Sequence, residues 1–158
     1  MNKVIVGIGS NLGNREENMN LAVHALERLP NTTVIAGSSL YETKPVDVPN
    51  QQTDYLNECV VLLTELSPRA LLGACLGIEA AMGRQREVTH GSRPIDIDLL
   101  IYEGVTSSDS ELTLPHPQML RRAFVLIPLS EIFAEGMALG LDFSAALKRI
   151  DKSGVTLF

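Results

Sequence analysis

Two aspartates and three arginines lie close together in the sequence, and their side chains suit a phosphorylated ligand with its metal. Asp96 and Asp98 alternate with apolar residues in I-D-I-D-L-L-I, so in a strand both carboxylates lie on one face, about 7 Å apart. Carboxylate oxygens suit Mg²⁺ that holds substrate phosphates, and Arg84, Arg86 and Arg93 carry guanidinium groups that bind phosphate oxygens bidentately. The pattern predicts a polyphosphate and metal site; a solvated strand face beside a basic loop is the alternative.

The overall charge restricts the class of ligand. The chain has a formal net charge of -6, whereas proteins that bind nucleic acid generally present a basic surface. No apolar run is long enough to span a bilayer, and Met1-Asn-Lys leads into a strand pattern without a signal-peptide cleavage site. Cys59 and Cys75 lie in apolar patterns and predict buried thiols in a reducing compartment. We expect a cytoplasmic monomer with small-molecule substrates, binding neither nucleic acid nor membrane.

The elements that must position these side chains follow from apolar periodicity in a chain of single-domain length, residues 1–158. Strand patterns at 4–8, 32–41, 58–64 and 95–101 alternate with helices after Asn14 and Ser67, both good N-caps. The order β-α-β-β-α-β is that of the ferredoxin-like α+β fold, with long loops added. On the last strand, we predict that Ile95, Ile97, Leu99 and Ile101 face the core, on the side opposite the aspartates. The long loop at 42–54 is of a length that is usually functional or disordered.

Three further polar residues stand where a plain structural role and a binding role are both possible. Asn57 lies at the edge of an apolar strand face, where its amide pairs with a heterocycle or with neighbouring backbone. Glu79 falls on the buried stripe of the second helix with Leu72, Cys75 and Met82, and it pairs with an arginine or accepts from a substrate N–H. His116, between two prolines, donates to a phosphate or remains a surface imidazole.

Taken together, these motifs resemble those of the 6-hydroxymethyl-7,8-dihydropterin pyrophosphokinases of folate biosynthesis. The resemblance covers nearly the whole chain and rests on several motifs in the family's order: G-I-G-S-N-L-G-N-R at 7–15, Y-E-T-K-P at 41–45, D-Y-L-N at 54–57, Glu79 with G-R at 83–84, R-P-I-D-I-D-L-L at 93–100, L-P-H-P at 114–117 and R-A-F at 122–124. It implies a ferredoxin-like fold and an enzyme that transfers pyrophosphate from ATP to the pterin, releasing AMP.

The resemblance also implies a role for individual positions. Asp96 and Asp98 would bind two Mg²⁺ ions that hold the triphosphate of ATP. Catalytic positions would be Arg84, Arg86, Arg93, Asp96 and Asp98. Nucleotide-binding positions would be Glu79, Arg93, Leu99, His116 and Arg122. Pterin-binding positions would be Thr43, Lys44, Val46, Tyr55, Asn57 and Phe124, with the pterin held between the rings of Tyr55 and Phe124.

The arginine segment departs from the family pattern. It is one residue shorter than the family pattern, and His90 stands where the family usually has an aromatic residue. Since this segment is the family's lid, its closure is expected to differ in detail.

Two alternative functions belong to other classes. A nucleotidyltransferase would use Gly9-Ser10 with the paired aspartates, although more than eighty residues separate them. A ferredoxin-like ligand-binding module would bind without chemistry. The reaction products distinguish the first alternative, because pyrophosphoryl transfer releases AMP and nucleotidyl transfer releases pyrophosphate.

Overall fold

A computed structural model describes residues 1–45, 53–83 and 94–158. The predictions made for Val46, Arg84, Arg86, His90 and Arg93 lie outside the described residues. In chain order the described elements are β1 (Asn2–Ser10), α1 (Arg15–Glu27), β2 (Thr32–Gly37), β3 (Tyr41–Thr43), β4 (Tyr55–Thr64), α2 (Pro68–Ala81), β5 (Asp96–Tyr102), β6 (Ser107–Asp109), β7 (Leu112–Leu114), a 3₁₀ turn (Met119–Arg121), α3 (Ala123–Ile132), β8 (Met137–Ala138), β9 (Leu141–Asp142), α4 (Ser144–Arg149) and β10 (Val155–Leu157).

The main sheet is antiparallel, with strand order β10-β3-β4-β1-β5, and β2 pairs with the remaining length of β4. Strands β5, β1, β4 and β2 therefore lie side by side, joined by two helical crossovers, which is the ferredoxin-like arrangement. The predicted fold is confirmed. The segment at 32–41 divides into two strands that occupy different stretches of the same edge of β4. Within the described ranges, no helix is long and apolar enough to cross a membrane.

Local sequence signals explain where the first two helices begin. The Asn14 side chain accepts a hydrogen bond from the Glu17 N–H (3.1 Å), and the Ser67 hydroxyl accepts one from the Ala70 N–H (3.2 Å), as N-caps do. The buried stripe of α2 consists of Leu71, Cys75 and Glu79. The sequence pattern predicted Leu72 for this stripe, but its neighbour Leu71 occupies the buried position. Leu72 is partly buried and packs against the same core.

Two apolar cores cover opposite faces of the sheet. The first lies under α1 and α2, and the second lies under α3 and α4. Strand alternation assigns Val4, Val6 and Ile8 of β1 to the first core. The second core contains Ile5 of the same strand.

The predicted facing of Ile101 was wrong because β5 contains an irregularity. Val6 pairs with Leu99 and Ile5 pairs with Ile101, so Leu100 is an extra residue in the ladder. Such a bulge interrupts the alternation of side chains. Leu100 and Ile101 therefore both pack in the α3 core.

Candidate active site

The floor of the candidate site is a bare strip of sheet formed by two glycines of β1. Gly9 pairs with Asn57 on one side and Asp96 on the other, and Gly7 pairs with Asp98. A Cβ on Gly9 would lie 2.8 Å from the Asn57 Oδ1, closer than such atoms approach, and one on Gly7 would lie 3.4 Å from a Leu100 methyl carbon. The glycines thus leave room between the amide and the two carboxylates. The predicted strand at 4–8 ended before Gly9, whereas β1 continues to Ser10 and the G-x-G spacing puts both glycines on one strand face.

One end of this strip carries the predicted pterin-binding residues. The Asn57 Nδ2 donates to the Thr43 Oγ1 at 2.8 Å, and both side chains are buried. Tyr55 pairs with Thr43 across β3 and β4, so it lies on the same face of the sheet as Asn57. The bonding partner of Asn57 is therefore another predicted site residue, rather than the neighbouring backbone of the plain structural alternative.

The opposite end is charged. Arg122 precedes α3 and its guanidinium carbon lies 5.5 Å from the centre of the Phe124 ring, a cation–π distance. The same side chain brings Nη1 to 3.9 Å from the Asp98 Oδ2. Arg122 therefore lies between an aromatic ring suited to a flat heterocycle and a carboxylate suited to a metal. That position allows it to offset negative charge on a phosphate.

His116 is held as a directed hydrogen-bond donor. Its ring Nδ1 accepts from the Gln118 N–H (3.1 Å), and its backbone N–H donates to the Leu100 carbonyl (2.8 Å). Burial lowers the pKa of His116, the nearby Arg122 charge lowers it further, and Asp96 acts in the opposite direction. With Nδ1 accepting, the neutral imidazole carries its proton on Nε2. His116 thus offers one N–H donor beside β5.

Glu79 stabilises the edge of the sheet. Its side chain is 1% exposed, and its Oε2 accepts from the Ile97 N–H at 3.0 Å. A buried carboxylate needs such a partner, and this one fixes β5 next to the two aspartates. Leu99 is also buried, and its side chain packs in the core under α1 and α2.

All described members of the predicted site line one cleft of about 1120 Å³. They are Thr43, Lys44, Tyr55, Asn57, Glu79, Asp96, Asp98, Leu99, His116, Arg122 and Phe124. Sequence analysis missed the part of the lining that residues 150–155 contribute, where the Lys44 backbone N–H donates to the Gly154 carbonyl (3.4 Å). No motif marks that segment, since it reaches the cleft only because β10 pairs with β3.

Asp96 and Asp98 fit Mg²⁺ by the chemistry of their donors. Within the described ranges, no group of three or more His, Cys, Asp or Glu residues is placed to hold a metal. A pair of carboxylates leaves most of a Mg²⁺ coordination shell to water and phosphate oxygens, which is how Mg²⁺ is usually bound beside nucleotides. The pair therefore suits a metal that arrives with a nucleotide.

The fold and the cleft define a class: a ferredoxin-like α+β protein whose sheet presents paired carboxylates, an arginine and a histidine beside an amide and aromatic rings. Within that class, the family model for 7,8-dihydro-6-hydroxymethylpterin-pyrophosphokinase (HPPK) matches residues 5–134. The chain belongs to this family of enzymes. The predicted family is confirmed, and the family match does not support the two alternative functions.

Two curated relatives agree with the assignment, and a solved structure shares the fold. A Methylorubrum extorquens protein named 2-amino-4-hydroxy-6-hydroxymethyldihydropteridine pyrophosphokinase is 43% identical over 98% of this chain and 98% of its own. A Bacillus subtilis protein of the same name is 36% identical over 99% and 90%. A solved structure of HPPK-DHPS in complex with substrates (TM-score 0.74, 13% identity) covers 99% of this chain, which spans 46% of that one. The structural likeness supports the fold alone.

Proposed function

We propose that the chain transfers the pyrophosphoryl group of ATP to the hydroxymethyl oxygen of 6-hydroxymethyl-7,8-dihydropterin, giving the pterin diphosphate and AMP. The observation that carries this proposal is the bare glycine strip, which has the Asn57–Thr43 pair at one edge and Asp96 with Asp98 at the other. A neutral heterocycle and a charged triphosphate are thereby brought to neighbouring parts of one cleft.

The pterin is proposed to bind at the amide end. Asn57 and Thr43 read the donor and acceptor edge of the ring, and Tyr55 and Phe124 lie against its faces. Lys44 adds a polar contact at the exposed rim. Val46 is proposed as a pterin contact from sequence alone.

The nucleotide is proposed to bind at the carboxylate end. Asp96 and Asp98 would hold two Mg²⁺ ions, which supply charge neutralisation at the phosphates. His116 donates its Nε2–H to a phosphate oxygen, and Arg122 balances charge on the transferring group. Glu79 and Leu99 hold the β5 side of the nucleotide site. Arg84, Arg86 and Arg93 are proposed as further phosphate contacts on the strength of the sequence.

The reaction is an in-line displacement. The pterin hydroxymethyl oxygen forms a bond to the β-phosphorus, the bond from that phosphorus to the α,β-bridging oxygen breaks, AMP leaves with the bridging oxygen, and the hydroxyl proton is released to solvent. The protein contributes mainly by holding the two reactants in line and by presenting fixed positive charge.

Product analysis tests the proposal directly. The purified chain is incubated with ATP, Mg²⁺ and 6-hydroxymethyl-7,8-dihydropterin, and the products are separated by chromatography. We expect AMP and pterin diphosphate in equal amounts, no AMP when the pterin is omitted, and loss of turnover with excess EDTA that added Mg²⁺ restores. Release of free pyrophosphate with an adenylated pterin would contradict the proposal.

The remaining assignments are also proposals. The chain is proposed to act as a monomer in the cytoplasm on small-molecule substrates. Sedimentation at the concentrations used for the assay tests the monomer, and an active species of twice the chain mass of 17.2 kDa would contradict it.

A further inference from the structure

Arg15, the first residue of α1, joins three separate segments of the chain. Its Nη1 lies 2.8 Å from the Glu42 Oε2 and donates to the Asp54 carbonyl, also at 2.8 Å. Its guanidinium carbon lies 5.7 Å from the centre of the Phe158 ring. One nitrogen of Arg15 therefore contacts both β3 and the residue that leads into β4.

These contacts fall where the β3–β4 hairpin opens. The register pairs Thr43 with Tyr55 and Glu42 with Leu56. Glu42 therefore lies on β3 and Asp54 just before β4, and we call these two stretches the limbs of the hairpin. Side chains alternate along a strand, which puts Glu42 on the face opposite Thr43. Arg15 consequently reaches the limbs from behind the site and does not contact a ligand on the Asn57 face.

The turn after β1 makes a second set of contacts with the chain that leads into β4. The Thr53 Oγ1 donates to the Asn11 carbonyl, and the Asn11 Nδ2 donates to the Thr53 carbonyl at 3.4 Å. On the other face, the Asn57–Thr43 hydrogen bond crosses between the same two limbs. The separation of the limbs thus sets the geometry of that polar pair.

We propose that Arg15 is a positioning residue for the pterin half of the site: by joining Glu42 to the Asp54 carbonyl, it fixes the spacing of the strands that carry Thr43, Tyr55 and Asn57. The proposal rests on the proposed role of those three residues in pterin binding. The Arg15 and Glu42 side chains are only 25% and 34% exposed, so their charge-assisted contacts are partly shielded from water. Loss of these contacts affects the pterin and leaves the metal and phosphate end unchanged.

Steady-state kinetics on the full chain tests the proposal through two KM values. Arg15→Gln is expected to raise the KM for the dihydropterin about tenfold, the effect of losing one good charge-assisted contact. We expect kcat and the KM for ATP to stay within about twofold. Arg15→Lys is expected to restore most of the pterin KM, because a single nitrogen makes both contacts. The matched control is Arg28→Gln, at the exposed other end of α1, with no expected change.

Three variants separate the possible outcomes. An equal rise of both KM values in Arg15→Gln, or no rise in either, overturns the proposal. Glu42→Gln keeps Arg15 and removes its charged partner, so this variant is the deciding test if Arg15→Gln does not fold. A selective rise in the pterin KM of Glu42→Gln supports the proposal, and an unchanged pterin KM overturns it. Asn57→Ala is measured in parallel. If it raises the pterin KM and Arg15→Gln does not, only the Arg15 proposal fails; if neither does, the pterin assignment fails and the Arg15 proposal with it.

Discussion

The two faces of the main sheet are built from alternate residues of the same strands, yet they are covered to different extents. On the face of β4 under α1 and α2 lie Leu56, Val60 and Leu62, all in the closed core. The core under α3 and α4 covers part of the other face, and the open part carries Asn57 and, across the glycine strip, Asp96 and Asp98. Because a strand turns successive side chains to opposite sides, one stretch of sequence serves stability and binding at once, with the two tasks at adjacent positions.

Within β4 (Tyr55–Thr64), the face under α1 and α2 carries one carboxylate, that of Glu58. Glu58 lies between Leu56 and Val60 on the same face of β4. It is 9% exposed and accepts no hydrogen bond from any residue that the structure describes. Burial raises the pKa of Glu58 from 4.5 to about 7. Changes at 57, 96 and 98 are therefore expected to affect function, whereas a change at 58 is expected to affect stability.

The largest expected effect is on the carboxylate edge of the open face. Asp96→Ala and Asp98→Ala are each expected to lower kcat by about a thousandfold or more, because charge stabilisation at the phosphates depends on the metal that they hold. The melting temperature should change little, since the Asp98 side chain is 37% exposed. Asp142→Asn, at the start of α4, is the control. A mutant with full Mg²⁺-dependent turnover would remove the carboxylates from the mechanism.

The second prediction concerns stability on the closed face and its dependence on pH. Because the folded-state pKa of Glu58 is about 7 and its ordinary value is 4.5, the folded state binds the proton more tightly than the unfolded state. Stability is therefore lost as pH rises from about 4.5 through 7. At pH 8, Glu58→Gln should raise the free energy of unfolding by about 3 kcal/mol, with the difference vanishing near pH 4.

Urea unfolding at pH 4 to 8 measures this difference, with exposed Glu65→Gln as the control. Turnover per folded molecule should be unchanged in Glu58→Gln. A lower free energy of unfolding for Glu58→Gln at pH 8 would show that the ionised carboxylate is stabilised on the closed face.

The third prediction tests the amide edge of the open face. Asn57→Ala removes the partner of Thr43, which is 4% exposed, and also removes the group that reads the pterin edge. Pterin affinity should fall about ten- to hundredfold, in line with one lost recognition contact and one buried hydroxyl left unpaired. ATP affinity should be nearly unchanged. Calorimetric titration of each ligand measures both, and equal losses would contradict the division of the face into two ends.

The smallest effect is expected on the strip itself. A methyl group added by Gly9→Ala would lie 2.8 Å from the Asn57 Oδ1, whereas the same change at Gly7 would meet a flexible Leu100 methyl at 3.4 Å. Gly9→Ala should therefore weaken pterin binding about fivefold, roughly 1 kcal/mol, and Gly7→Ala should weaken it less. The same titration compares the two, and the reverse order would show that the Asn57 position does not depend on Gly9.

Much of this arrangement was predictable from sequence. The alternation around Asp96 and Asp98 correctly indicated one face, and the N-cap signals at Asn14 and Ser67 correctly indicated where helices begin. Periodicity did not assign α3, because this helix is apolar on most sides and contains Pro128. Nor did any local signal indicate that residues 150–155 line the cleft, since that depends on pairing between β3 and β10, more than a hundred residues apart.

The extra residue at Leu100 has a consequence for how the last strand of the ferredoxin-like core tolerates change. Leu99 and Ile101 fall on opposite sides of the sheet only because the ladder shifts between them. If Leu100 were deleted while the rest of the strand kept its pairing, Asp98 would still lie opposite Gly7 and Asp96 opposite Gly9, so both acids would stay on their present side and the alternation would become regular. A family member lacking that residue would therefore keep its acids facing the nucleotide without any shift of the strand.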